Sequence, residues 1–475
     1  MLGLKKYAVL PLSCLLASCA LYQPKTLPTE FSLPNNVSHL VLDRAQGQTP
    51  EQTSSDATWS RISAQPHQLD LSAGLDMDQV AMLAVLNNPD IKLARDDAGV
   101  AHAQAFAAGL LPDPQLSLSR DLSNTGGPGS SKAFSAGLSY DVISIVTYGA
   151  VDAAAQAEIK KTDMNLLWQE WQLIAQARLT YVKLSFAKKA AALIETNRAL
   201  FAKRVANSQQ AFDKNYISND AYLTDLTALQ DLQRQSNDSE RQVNQLQHEL
   251  TALLGLSPDA EVKLQEPNVA SLIQLDESLI VRDAKQLAQR RPDLIALQSG
   301  FEAEDQRYRA ALLSQFPSFN IGFTRARDSS SVYSNGVGVT LSLPLLNRNR
   351  GAIAVELATR EKLINDYQQR LNAANSDIHK LLLDQAVNLR QLAEIQTALT
   401  QFNLMVTNAD SAYVNNAIDG LVVANAHSSL LAKQLEQLNL QQSIFEQRIA
   451  LQLLLGGDVL VPPTPAQRSL ENHSS

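Results

Sequence analysis

Cysteine and aromatic residues are both scarce in this chain of 475 residues. Only two cysteines are present, which excludes a fold held together by several disulfides. Aromatic residues make up 5% of the chain, whereas alanine, leucine and glutamine are abundant. That composition is typical of long helices that pack on each other. The fold is therefore expected to depend on helix packing.

Clusters of chemically active residues are also missing. The net charge is −8 and no stripe of Lys or Arg runs along the sequence, so a nucleic-acid partner is not expected. Seven histidines stand singly, without the spacing of a metal-binding pair, so neither a metal site nor a cofactor is expected. No nucleophile elbow or phosphate-binding loop is present. The sequence therefore predicts that this protein is not an enzyme.

The N-terminus has the pattern of an export signal. Lys5 and Lys6 precede a short apolar run at residues 7–16, which is too short to cross a bilayer as a permanent helix. The following Leu-Ala-Ser-Cys ends at Cys19 and is similar to the lipobox of bacterial lipoproteins. Cys19 would then become the acylated first residue of a mature chain with a net charge near −10. An ordinary signal peptide that happens to contain a cysteine is the alternative.

An internal repeat is the most informative feature of the sequence. Asn88-Pro89-Asp90 recurs as Arg291-Pro292-Asp293 at an offset of 203 residues, and Leu254-Gly255 recurs as Leu455-Gly456 at an offset of 201. Three further landmarks recur between them: Pro114 as Pro317, Gly149-Ala150 as Gly351-Ala352, and Phe212, Asn215 and Ile217 as Tyr413, Asn416 and Ile418. The offset changes by only two residues along the repeat, which indicates a tandem duplication of one unit.

Each unit has the same predicted order: helix, β-hairpin, long helix and return helix. The hairpins, at about 115–142 and 318–346, alternate apolar with small or polar residues around a polar tip, which is typical of transmembrane β-barrel strands. A soluble hairpin lying on a core is the alternative. The long helices carry a mostly apolar residue every seven positions, from Ile159 to Phe201 and from Ile364 to Tyr413, with Thr180 and Gln385 as polar members. That period predicts coiled-coil packing.

The lengths of these segments predict an elongated molecule. A long helix of about 62 residues would span ~93 Å, and the return and pre-hairpin helices of about 35 and 33 residues would each span ~50 Å. Two shorter helices placed end to end therefore match one long helix. Four strands are too few to close a barrel, and open strand edges are not tolerated in lipid. A membrane-spanning form would have to pool strands from several copies, and three copies would give twelve.

The lipobox, the duplicated unit, the run Leu343–Ala354 and the paired Leu-Gly ends together resemble the TolC family of outer-membrane efflux factors. The resemblance covers about Asp76 to Gly456. It implies a mainly α homotrimer in which a twelve-stranded outer-membrane barrel is continued by a periplasmic α-helical coiled-coil barrel. The implied partners are outer-membrane lipid, a periplasmic adaptor (membrane fusion) protein and an inner-membrane pump of the resistance-nodulation-division type. The stretch Asn347–Gly351 is similar to members from cobalt-zinc-cadmium efflux operons, although drug and metal efflux systems share this run.

The predicted organisation follows from the repeat and the resemblance. It comprises a lipoprotein signal peptide at 1–18, a lipid-anchored tether with limited order at 19–75, a first repeat at 76–255, an equatorial connector at 256–282, a second repeat at 283–456 and a C-terminal tail at 457–475. Under this interpretation the chain is the passive exit duct of a tripartite efflux system. The alternative is a lipid-anchored periplasmic coiled-coil tether or scaffold without a pore, which would require soluble hairpins.

The resemblance also assigns a role to the turns between the long and return helices, which would form the periplasmic tip and contact the adaptor. The predicted site residues are Asn215, Ser218, Asp220, Asn416, Asp419 and Gly420. Ser218 and Asp419 occupy equivalent positions and are predicted to cap the return helices.

The two tips depart from the family pattern. Family tips carry a glycine and, six residues later, an acid that often lines the constriction. Here Asn215 and Asn416 replace the glycine, and Ala221 and Val422 replace the acid. A ring of carboxylates is therefore not predicted at those positions. The nearby acids Asp220, Asp225 and Asp419 are interpreted as helix caps or as solvated side chains.

Overall fold

The structure, a computed structural model, describes residues 24–30, 32–40, 74–121, 132–267, 277–343, 345–415 and 417–456. Within these ranges the chain is mainly helical and carries one four-stranded antiparallel sheet. Cys19, the predicted signal peptide, Asn416 and the predicted tail lie outside the described residues. No helix in the described ranges is long and apolar enough to cross a membrane.

The order helix, hairpin, long helix and return helix occurs twice, as predicted. The first unit contains α1 (Met77–Asn87), α2 (Pro89–Ala108), β1 (Gln115–Asp121), β2 (Ala133–Asp141), α3 (Ile143–Asp213) and α4 (Asn219–Leu253). The second contains α5 (Glu277–Ala284), α6 (Leu287–Arg290), α7 (Pro292–Leu313), β3 (Ser318–Arg327), β4 (Tyr333–Ser342), α8 (Arg350–Val414) and α9 (Gly420–Leu455).

The helix before each hairpin, predicted to be continuous, is broken at a proline. Asn88 and Arg291 have extended backbones, with ψ of 128° and 121°, because the ring of the following proline excludes the helical conformation. Each proline then begins the next helix. An N–H at that position would have no partner within the helix, so the missing N–H of proline costs no hydrogen bond. The Asn88 side chain accepts hydrogen bonds from the backbone N–H of Asp90 and Ile91 and so caps α2.

The two long helices bury the predicted seven-residue stripe over their middle sections. In α3, which has 71 residues, the buried members of the stripe are Leu173, Thr180, Ala187, Ile194 and Phe201. In α8, which has 65 residues, they are Ile378, Gln385, Leu392, Leu399 and Val406. The stripe of α8 is exposed at its ends, at Ile364 and Tyr413. At 1.5 Å per residue, α3 is about 107 Å long.

The two hairpins join into one sheet with the order β1-β2-β3-β4. The central pair, β2 and β3, comes from different repeats and is antiparallel, with Leu138 opposite Phe323. Within the described residues β1 and β4 each pair on one side only. An apolar row on β4 (Val337, Val339 and Leu341) is 55–77% exposed. The sheet thus presents uncovered apolar side chains and two unpaired edges.

The connector between the repeats packs against the middle of the rod. Leu75 and Leu264 form a parallel bridge, and the Tyr181 hydroxyl donates to the Gln265 carbonyl oxygen at 2.6 Å. The predicted tether is partly ordered here, because Val37 and Leu40 are buried in the same core. Ser257 N–H also donates to the carbonyl oxygen of Pro34 at 2.9 Å.

Glycines end both return helices, as the Leu-Gly repeat suggested. Gly255 and Gly456 have φ of +66° and +70°, a left-handed conformation that favours glycine. A Cβ on Gly255 would lie 2.6 Å from the carbonyl oxygen of Asn87, so glycine also permits the close approach of α4 to the end of α1.

A cluster of charged side chains joins α3, α7 and α8 near the sheet. Arg307 bonds Glu158 at 2.9 Å and Glu304 at 3.4 Å, and Lys161 bonds Glu158 at 2.8 Å. Burial raises the pKa of Glu158, but the hydrogen bonds and charges of Lys161 and Arg307 outweigh burial and hold that pKa below its usual value. The pKa of Glu304 is raised to about 7, mainly by burial and to a smaller extent by the adjoining carboxyl of Glu356.

Candidate functional site

The first helical turn connects α3 to α4 through a left-handed asparagine. Asn215 has φ of 58°, and the N–H of Tyr216 donates to the carbonyl oxygen of Ala211 at 2.8 Å. This bond pattern ends many helices, usually with glycine and sometimes with asparagine at the left-handed position. Asn215 therefore supplies the backbone conformation for which the family pattern uses glycine.

The second turn, between α8 and α9, has the equivalent backbone bond. Ala417 N–H donates to the carbonyl oxygen of Ala412 at 2.8 Å, while Asn416 itself lies outside the described residues. The predicted caps are confirmed at both turns. The Ser218 side chain accepts from Ala221 N–H at 3.2 Å, and the Asp419 side chain accepts from Leu421 N–H at 3.3 Å.

The acids near the turns divide into two kinds. Asp220 and Asp419 are exposed, and Asp220 lies in the first turn of α4, where the helix dipole favours a negative charge. Asp225 is different, because only 4% of its surface is exposed. Arg204 Nε lies 2.7 Å from Asp225 Oδ1, and the Ser208 hydroxyl donates to Oδ2. The interpretation of Asp225 as a cap or a solvated acid is therefore wrong.

Arg204 connects the two turns. Its guanidinium carbon lies 5.6 Å from the centre of the Tyr413 ring, which belongs to the end of α8. A Cβ on Gly420 would collide with Arg204 Nη2, so the missing side chain at the start of α9 leaves room for the guanidinium. One arginine of the first repeat thus binds an acid on α4 and packs against both helices of the second turn.

This Arg204–Asp225 pair was not found from the sequence. The two residues are 21 positions apart, and neither belongs to a recognisable motif. Their distances from the turn could have indicated the pair, because antiparallel helices bring together residues that are nearly equidistant from the turn at Asn215. An arginine and an acid at such mirrored positions are candidates for a cross-helix pair.

Apolar side chains surround the turns. The rings of Phe212 and Tyr222 stack with centroids 5.5 Å apart and hold the ends of α3 and α4 together. Tyr216 and Val414 are 78% and 79% exposed, although both are large apolar side chains. Among the described residues no three His, Cys, Asp or Glu side chains come together as a metal site requires.

Comparison with known proteins identifies a family that this chain resembles. Residues 284–457 match the family model described as outer membrane efflux protein. The pyoverdine export outer membrane protein OpmQ of Pseudomonas putida is 26% identical over 490 residues, which cover 94% of this chain and 96% of that protein. The chain is similar to the TolC-type outer membrane efflux proteins.

A second relative and a solved structure are also similar to this chain. The probable outer membrane lipoprotein SilC of Salmonella typhimurium is 26% identical over 184 residues, which cover 37% of this chain and 40% of that protein. The fold of CusC, solved in a study of folding and transmembrane channel formation, superposes with a TM-score of 0.68 at 20% identity. The superposition covers 81% of this chain and 94% of CusC. Outer membrane efflux proteins are transport channels and not enzymes.

The cap at Ser218 gives a local test of the turn. Replacing Ser218 with alanine removes an N-cap, which costs about 1 kcal/mol. We expect amide hydrogen exchange in the first turn of α4 to accelerate about fivefold. A loss of about 1 kcal/mol raises the population of the locally open state by that factor, since RT is about 0.6 kcal/mol. Exchange in the middle of α4 should not change. Ser239→Ala, in the middle of α4, is the control, and an equal acceleration of the first turn in both variants would contradict the capping role.

Proposed function

We propose that this protein is the outer-membrane channel of a tripartite efflux system and acts as a passive exit duct for compounds delivered from the inner membrane. The observation that carries the proposal is the sheet, which exposes an apolar row and two unpaired edges at one end of helices about 100 Å long. Such a sheet is unstable as an isolated structure in water or in lipid. It requires other copies to pair with its edges.

We propose a homotrimer with a twelve-stranded barrel. Each chain supplies four strands, so three copies supply twelve, an even number within the range known for bacterial barrels. The exposed ends of the α8 stripe, at Ile364 and Tyr413, then pack against neighbouring copies in a helical tunnel. Energy enters at the inner-membrane pump, and the duct contributes a path and a periplasmic opening.

The remaining parts of the proposal concern anchoring and partners. Cys19 is the proposed lipid attachment site, and the relative SilC is itself named as a lipoprotein. The turns that contain Asn215, Ser218 and Asp220, and their equivalents Asn416, Asp419 and Gly420, are the proposed contact with a periplasmic adaptor. The exposed Tyr216 and Val414 support this assignment. The proposed pump is of the resistance-nodulation-division type.

The exported compound has two candidate classes. The resemblance of Asn347–Gly351 to members from cobalt-zinc-cadmium operons favours metal ions as substrate. OpmQ, the relative that aligns over nearly the whole chain, is named for pyoverdine export and favours an organic small molecule. Accumulation of each compound in cells that lack this protein distinguishes the two classes.

The decisive experiment is the mass of the protein extracted from outer membranes in mild detergent. We expect a heat-sensitive species of three chains, with detergent mass subtracted, and discrete conductance steps when it is added to a planar bilayer. The matched control is the same sample after boiling, which should give single chains and no conductance. A monomer released by lipase or salt, with no conductance, would support the coiled-coil tether instead.

A further inference from the structure

We propose that the turn between β4 and α8 binds the phosphate of a phospholipid in the inner leaflet of the outer membrane, with Arg348 and Arg350 as the anion-binding side chains. The inference rests on the proposed function, which places the helical end of the strands at the periplasmic face of that membrane. It adds a lipid headgroup site to a segment whose role the channel fold leaves unexplained.

A groove of about 430 Å³ lies between the end of α7 and the end of β4. Its lining includes Leu312, Phe316, Pro317, Leu343, Leu345 and Arg348. Phe316 and Leu345 are 65% and 68% exposed, and the adjacent Leu346 is 94% exposed. Leu343 also continues the exposed apolar row of β4. The groove therefore extends the surface that faces lipid in the proposed barrel.

The backbone beside the groove is strained. Arg348 and Asn349 have φ of 48° and 53°, so two successive residues other than glycine are left-handed. Each costs roughly 1–2 kcal/mol relative to the ordinary conformation. Asn349 Nδ2 donates to the carbonyl oxygen of Ala311 at 2.9 Å, which ties the turn to the end of α7. Strain of this kind is concentrated at functional positions.

The first repeat folds without this turn. At the offset of 202 residues defined by Gly149 and Gly351, the start of α3 at Ile143 corresponds to Leu345, five residues before α8 begins. By the same offset Val146 and Tyr148 occupy the positions of the two arginines. The repeat unit therefore needs neither the left-handed turn nor the arginines in order to fold, and their presence in the second unit indicates another role.

Charge and shape identify the ligand. Neither Arg348 nor Arg350 forms an ion pair within the described residues, and no acid occurs in the sequence between Asp328 and Glu356. A guanidinium binds phosphate through paired, charge-assisted hydrogen bonds. Arg348 lines this exposed apolar groove, and Arg350 follows two residues later at the start of α8. This arrangement matches a phospholipid, with an acyl chain in the groove and the phosphate on the guanidinium groups.

The test is the heat dissociation of the purified oligomer in mild detergent. Phosphatidylglycerol is added, and diacylglycerol with the same acyl chains and inorganic phosphate are added separately at equal concentration. We expect phosphatidylglycerol alone to raise the midpoint clearly. The double variant Arg348→Gln/Arg350→Gln should lose at least half of that shift, and Arg348→Lys/Arg350→Lys should keep more of it than the glutamine variant. Arg390→Gln, which removes an exposed arginine elsewhere on α8, should keep the full shift.

Three outcomes would overturn the proposal: an equal shift with diacylglycerol, an equal shift with inorganic phosphate, or an undiminished shift in the glutamine variant. If that variant does not assemble, the lysine variant decides, because a reduced lipid shift supports phosphate recognition by the guanidinium groups and an unchanged shift contradicts it. Absence of a conducting oligomer in the wild type would count against the proposed function instead.

Discussion

Replacing Asp225 with alanine is expected to loosen both helical turns at once. The side chains of Asp225 and Arg204 are only 6% and 14% exposed, so the substitution leaves a largely buried guanidinium without its carboxylate. Removing one partner of a buried pair typically costs about 3 kcal/mol. Because Arg204 also packs on Tyr413 and against Gly420, its displacement should disturb the end of α8 and the start of α9 as well.

Hydrogen exchange resolved along the chain measures this effect. Exchange should accelerate by about a hundredfold around residues 204–225, since each 1.4 kcal/mol corresponds to a factor of ten, and the acceleration should extend to residues 413–425. In planar bilayers the variant should show a larger or more frequently open conductance, because the turns lie at the proposed periplasmic opening. Unchanged exchange in the second turn would contradict the bridging role of Arg204.

Two matched variants separate the pair from a general effect of charge. Asp220→Ala removes an exposed acid from the same helix and should change exchange little, because solvent screens its interactions. The double variant Arg204→Met/Asp225→Leu replaces the ion pair with apolar side chains and should recover most of the lost protection. An Asp225→Ala variant that resembled Asp220→Ala would show that the pair contributes little.

The repeating part of the architecture was accessible from the sequence because it is local and periodic. A buried side chain every seven residues in α3, and alternation in the strands, follow from the geometry of a helix and a strand. The caps at Ser218 and Asp419 followed for the same reason, since a cap depends on bonds within three residues. The break at Asn88-Pro89 was missed, because apolar spacing continues across it although proline interrupts the backbone.

Contacts between distant segments were not accessible in this way. The burial of Val37 and Leu40 depends on the connector around residues 257–265, more than 200 positions away. Arg204 likewise interacts with Gly420 and Tyr413 only after the two repeats are packed side by side. A single sequence shows which residues can be buried or charged, but the register between repeats determines which of them meet.

We expect the folded protein to become less stable as pH rises from about 5 to 8. The substitution Glu304→Gln should remove much of that loss of stability. Glu304 is buried between α7 and α8, and its pKa is raised to about 7 from the ordinary 4.5. The folded state therefore binds the proton more tightly than the unfolded state does. The contribution of Glu304 to the free energy of unfolding is fully present below about pH 4.5 and is lost as pH rises towards 7.

In Glu304→Gln the glutamine keeps the shape of the protonated glutamate and cannot ionise. At pH 8 it should be more stable than the wild type by about 1–3 kcal/mol, because a shift of one pKa unit corresponds to 1.36 kcal/mol. At pH 5 the two proteins should differ little. Denaturant unfolding at both pH values measures the difference, with Glu302→Gln, an exposed acid on the same helix, as the control.

A second carboxyl allows the cause to be assigned. Glu356→Gln removes the neighbouring charge that raises the pKa of Glu304, but it leaves the burial of Glu304 unchanged. Because burial is the larger cause, the pH dependence should become smaller in Glu356→Gln and nearly disappear in Glu304→Gln. If both variants kept the wild-type slope between pH 5 and 8, another group would carry the titration. In that case Arg307 would hold Glu304 ionised throughout this range, and the α7–α8 contact would be an ordinary salt bridge.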